Sequence, residues 1–193
     1  MRRTKPTADA RDRLLATADR LFYADGIRAV GIDRVIAEAG VAKATLYAHF
    51  PSKDDLILAV LHHRESAVVA FFAEATARHR KRTKDPLRAF FAALREWFAS
   101  PGFRGCAFQN AAVELADPDH PGTAFVRGHK KRFHETLAGL VREAVGPAGE
   151  AVTPAVAVLV EGAIVTALID RSPAAADVAR DAAARLLSSV TKG

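Results

Sequence analysis

Five side chains between residues 43 and 53 have the chemistry to hold a polyanion: Lys43, Thr45, Tyr47, His49 and Lys53. Lys43 is a point charge for a phosphate or a donor to guanine, and Thr45 offers a hydroxyl to phosphate or a methyl to thymine. Tyr47 and His49 suit a duplex backbone, and Lys53 stands where a helix N-terminus already favours phosphate. A second reading of Tyr47 makes it a core aromatic packed beside Leu46.

Two short helices must position these groups. Ile32, Val35, Ile36 and Ala39 fall at i, i+3, i+4 and i+7, which predicts a helix over 32–39 with one buried stripe. Gly40 can take the left-handed conformation that ends a helix, and Val41 turns back into the same core. A second helix is predicted over 43–49, with Leu46 and Phe50 directed inward and the polar residues left outward. Helix, glycine turn and helix is the helix-turn-helix plan, whose second helix enters the major groove.

The run GVAKATLYAHFPSKDDL, residues 40–56, resembles the second half of the TetR-family DNA-binding domain. A Gly-Val turn, a TLY core, an aromatic-Phe pair and a Ser-Lys-acidic helix start recur there in that order. The resemblance covers Arg11 to Leu56, about a quarter of the chain. It implies an all-α protein of about nine helices: an arm and three-helix head over 1–52, and a helical ligand-binding and dimerisation domain over 53–193. It also implies a homodimer joined through the last two helices, a pseudo-palindromic DNA operator, and a small-molecule effector that releases a repressor from DNA. The chain departs from the family pattern at Gly31 and Ala42, where a Ser or Thr cap is usual, and at Ala44 and Ala48. These changes remove side chains that could cap helices or read bases, so the operator does not follow by analogy.

The rest of the composition agrees. The chain has 193 residues, half of them hydrophobic, enough for one sizeable core or a small domain joined to a larger one. A net charge of +6 suits a polyanionic partner. With Cys106 as its single cysteine the chain can form no internal disulfide, which suits the cytoplasm. The start, MRRTKPTADARDR, lacks the apolar run of a secretory signal. Its Arg2, Arg3 and Lys5 form either a solvated tail or an arm that follows phosphates or reaches the minor groove. Only residues 151–169 approach membrane length, and Glu161 near their centre favours a helix buried in protein over a membrane span.

Helices are predicted over 10–24, with Thr7 or Asp9 as cap, and over 53–80, started by a capping box of Ser52 and Asp55. Others follow over 86–98, 106–115, 121–145, 153–170 and 173–190, with Asp85 and Pro86 as cap and first residue of the fifth. The basic run 78–84 is read as cations at a helix C-terminus rather than as a nucleic-acid patch. The last two helices carry small aliphatic faces, Gly162, Ala163, Thr166 and Ala167 on one and Ala175, Val178, Ala179, Ala182, Ala183 and Leu186 on the other. These suit close helix pairing, either in a dimer or within one subunit.

Behind the head, polar residues on apolar faces are candidates for an effector site: Cys106, Asn110, Glu114 and His129, with Phe91, Trp97, Phe125 and Phe133 as walls. Satisfied core or interface groups are the alternative for each. Cys106, beside Arg104 at a helix start, also suits a thiol that senses electrophiles or oxidants. No P-loop, Rossmann glycine pattern, HExxH or Gly-x-Ser-x-Gly elbow occurs, so no enzyme, metal site or cofactor is expected. An architectural DNA-binding protein without an effector is the nearest rival to a ligand-responsive regulator.

Overall fold

The computed structural model describes residues 7–191, with side chains from Ala10 onward. The basic arm with Arg2, Arg3 and Lys5 lies outside these residues, as do the side chains of Thr7 and Asp9. Every regular element among the described residues is helical: α1 (Thr7–Asp25), α2 (Ile32–Ala39), α3 (Lys43–His49), α4 (Lys53–Thr83), α5 (Pro86–Phe98), α6 (Ala107–Leu115), α7 (Pro121–Val145), α8 (Thr153–Asp170) and α9 (Ala174–Thr191). A 3-10 turn, Pro147–Ala151, precedes α8; helical periodicity alone does not reveal it.

Local chemistry sets the boundaries. Gly40 is left-handed at φ 63°, and the Gly40 and Val41 amides donate to Ala37 O and Ile36 O, each at 3.3 Å. This double closure ends α2 and frees the chain to begin α3 four residues later. Ser52 and Asp55 form a complete capping box despite the short Asp side chain: Ser52 N donates to Asp55 Oδ2 and Asp55 N to Ser52 Oγ, both at 3.0 Å. Asp85 accepts from Arg88 N at 2.9 Å, and Pro86 opens α5. Gly31 and Ala42, the positions that depart from the family pattern, supply no side-chain cap.

The chain forms two compact units. The first combines the chain up to Ser66 with Ala107–Arg127, and so includes α1 to α3, the first half of α4, α6 and the start of α7. Leu14, Leu21, Val30, Val35, Leu46, Leu56 and Phe108 are among its most deeply buried residues, and α1 packs on both α2 and α3. The second unit combines Ala67–Cys106 with Gly128 onward. There α8 and α9 pack on each other and α5 packs on α9, around Phe91, Leu94, Val141, Val156 and Val160.

The small residues of the last two helices divide their work. Ala163 and Ala167 of α8 and Ala179 and Ala183 of α9 are buried within the single chain, whereas Val158 is 71% exposed, Ile169 73% and Val178 70%. The basic run at the end of α4 is engaged in ion pairs inside the second unit. Arg78 bonds Glu74 and Glu96, His79 approaches Glu96 at 3.0 Å, and Arg80 clasps Glu143. These three residues are paired as a helix terminus would be. One expectation changes: α4, as well as α8, is long and apolar enough to cross a membrane by length and composition.

Candidate nucleic-acid interface

The recognition face is built from seven residues on a braced support. Leu46 of α3 is fully buried and Phe50 nearly so, which fixes the rotation of the helix. Lys43 is then exposed, Thr45 and His49 are half-buried, and Tyr47 is 43% exposed. Tyr47 is thus an outward group and not a core aromatic. Lys43 Nζ lies 3.2 Å from Asp33 Oδ1. Both side chains are largely exposed, so the pair is weak and Lys43 is readily released to another anion.

Carboxylates and guanidiniums tie α1 to α2. Arg20 Nη2 bonds Glu38 Oε2 at 2.6 Å, Arg34 Nε bonds Glu38 Oε1 at 2.9 Å, and Arg34 also reaches Asp25 at 2.8 Å. Hydrogen bonds from Arg20 and then Arg34 hold the Glu38 carboxyl below the usual carboxylate range. Between α1 and α4, Arg64 bonds both oxygens of Asp19, at 2.6 and 3.1 Å, and lies 3.9 Å above the Tyr23 ring. Sequence reading missed this brace, because its partners stand 45 residues apart.

Lys53 takes a different position from the outward four. Its Nζ donates to the carbonyl of Ile27 at 2.7 Å, in the turn between α1 and α2. Burial pushes its pKa below the ordinary lysine value, against the opposing charges of Asp54 and Glu114.

The effector-site candidates divide between the units. Asn110, Glu114 and Phe125 belong to the first. Asn110 and Glu114 line a cavity of about 20 Å³ with Asp19, Tyr23 and Arg64, room for about one water. Phe125 packs against His62 and Phe108. Phe91, Trp97, Cys106, His129 and Phe133 belong to the second. Phe91, Cys106 and His129 are buried there. Trp97 and Phe133 join a run of ring contacts through Phe72 and Phe90. Lys130, which the sequence reading passed over, binds both oxygens of Glu161 at 2.8 and 2.7 Å and stands 3.7 Å from Cys106 Sγ. A carboxylate in the middle of the apolar α8 was the available signal that a cation must come to it.

Residues 14–60 match the profile of the bacterial regulatory proteins of the tetR family, and residues 83–183 match that of the tetracyclin repressor-like C-terminal domain. The crystal structure of SCO4454, a TetR-family transcriptional regulator from Streptomyces coelicolor, is 36% identical, covers 95% of this chain and 97% of that one, and superposes with a TM-score of 0.84. This chain belongs to the TetR family. A TetR regulator from Chloroflexus aurantiacus is also similar, at 28% identity, with 94% of this chain and 96% of that one covered and a TM-score of 0.77. The transcriptional activator FasR of Mycolicibacterium smegmatis is 37% identical over 89 residues, which span 45% of this chain and 41% of FasR. Membership of the TetR family makes the chain a DNA-binding transcriptional regulator and not an enzyme.

Proposed function

We propose that the protein is a cytoplasmic homodimeric repressor that binds a pseudo-palindromic operator and leaves it when a small molecule binds the second unit. The observation that carries the DNA half of this reading is the orientation of α3. Buried Leu46 and Phe50 leave Lys43, Thr45, Tyr47 and His49 available to one groove and its phosphates. Dimerisation through α8 and α9 is supported by Val158, Ile169 and Val178, apolar side chains that the single chain leaves in water. The ring contacts of Phe133 and the Lys130–Glu161 pair, a polar element among apolar side chains, support an effector site near Phe91, Trp97, His129 and Phe133.

Release follows from differential binding: the effector must bind better to a dimer whose recognition helices no longer match successive major grooves, about 34 to 36 Å apart. The partial match to FasR, named as an activator, favours activation as the second reading. Fluorescence anisotropy against DNA from beside the protein's own gene, with random competitor at two salt concentrations, tests the DNA half. Binding that survives competitor, at two chains per site or a multiple, supports the regulator. Binding that competitor abolishes leaves only non-specific attraction. A reporter driven by that DNA then separates repression from activation.

A further inference from the structure

The turn between α1 and α2 does not satisfy its own backbone. Within the turn, Gly26 N bonds Phe22 O and Val30 N bonds Gly26 O, at 3.1 and 3.3 Å. Two others are met by side chains from distant elements. Arg28 N donates to Glu114 Oε2 on α6 at 3.0 Å, and Ile27 O accepts from Lys53 Nζ on α4 at 2.7 Å. Ile27 is buried, so its carbonyl needs such a partner, while the Arg28 amide bond is exposed and adds a second, weaker hold on the same turn; together the two side chains favour this conformation. The fit is close: a Cβ built on Gly26, itself at φ +96°, would meet Glu114 Oε2 at 2.9 Å.

The helices that follow make this turn matter for DNA. Neither α2 nor α3 has a side-chain N-cap, since Gly31 and Ala42 stand in those positions. Their placement therefore depends on packing and on how the chain enters α2. We propose that Glu114 and Lys53 are positioning residues for DNA binding, a two-sided clamp that sets the α1–α2 turn and through it the pose of α3, without touching the duplex. Glu114 does this from 86 residues beyond the amide it holds. Lys53, whose sequence position suggests a phosphate contact, serves here through Ile27.

The test rests on the DNA-binding reading and is built to separate the two. The wild-type protein selects a duplex from a random-sequence pool, and that duplex is the probe. If no duplex is enriched, the DNA-binding reading fails and the clamp's proposed purpose with it. With a duplex in hand, Glu114→Ala is expected to weaken binding about three- to tenfold. Glu114→Gln, which keeps an acceptor for Arg28 N–H, restores most of the loss. Because Glu114 and Lys53 contact no phosphate in this scheme, Glu114→Ala and Lys53→Met keep the wild-type slope of log affinity against log salt.

Stoichiometric titration gives the DNA-competent fraction, so that a poorly folded variant shows as fewer sites and not as a weaker one. Amide exchange supplies a readout independent of DNA: Glu114→Ala should speed exchange in residues 26–50 while the rest of the chain stays as in wild type. Wild-type affinity and exchange in Glu114→Ala would overturn the clamp. A salt slope reduced by about one in Lys53→Met would return Lys53 to the phosphate backbone and overturn its half of the proposal.

Discussion

Ser52 and Asp55 hold each other at the first turn of α4, each backbone amide bonded to the other's side chain at 3.0 Å and the two side chains joined at 2.6 Å. The junction they form lies three residues after α3, so the helix that follows the recognition helix starts at a fixed point. Ser52→Ala removes the acceptor for Asp55 N and is expected to cost about 1 kcal/mol of stability, read as a lower midpoint in urea at an unchanged m-value.

Lys43 and Asp33 supply a test of the recognition face itself. Lys43→Ala should weaken DNA binding across sequences and reduce the salt slope by about one, if the ammonium neutralises a phosphate. Asp33→Asn removes the resting partner of Lys43 and a negative charge beside the face, so it should tighten binding. Anisotropy titrations at four salt concentrations read both. An unchanged slope in Lys43→Ala would take Lys43 away from the phosphates.

Glu38 gives a pH signature. Its carboxyl titrates below its ordinary value of 4.5 in the folded chain, because Arg20 and Arg34 favour the charged form. The stabilisation is therefore complete above that value and lost as pH falls through the lower, folded value. Urea midpoints of wild type and Glu38→Gln should differ at pH 6, converge as the medium is acidified below the carboxylate range, and differ less in high salt, because the pairs are exposed.

The α8–α9 face predicts the oligomeric state. Val158→Asp places a charge where the single chain leaves the side chain 71% exposed, so the fold of one subunit should keep its helical circular dichroism. If that face joins two subunits, sedimentation will change from a two-chain species to one chain at micromolar concentration. A Val158→Asp protein that still sediments as two chains would place the interface elsewhere.

Most of the helical frame was legible from local chemistry. Gly40, the Asp85–Pro86 start and the Ser52–Asp55 box act within four residues of themselves, and the helices they bound fall where the sequence predicts. The outward set of α3 was legible for the same reason, since burial of Leu46 and Phe50 fixes its rotation. Glu114 was not. Spaced four residues from Asn110 on one side of α6, it reads as a pocket residue, and only the tertiary fold delivers its carboxylate to Arg28 N. Lys53 shows a related limit: a helix N-terminus invites phosphate, and nothing local reveals that the ammonium also donates to a carbonyl 26 residues upstream. The pairing of Lys130 with Glu161 likewise joins residues 31 apart.

The first unit is assembled from two separate stretches of chain, and this sets a rule for anyone who would build chimeras from it. A head cut after Ser66 leaves behind Phe108, Ala111 and Glu114, two buried residues and the acceptor for Arg28 N. Grafting such a fragment onto a foreign ligand-binding body would transplant the recognition helix without its scaffold. A functional swap has to move residues 107–127 along with the N-terminal segment, as two insertions that travel together.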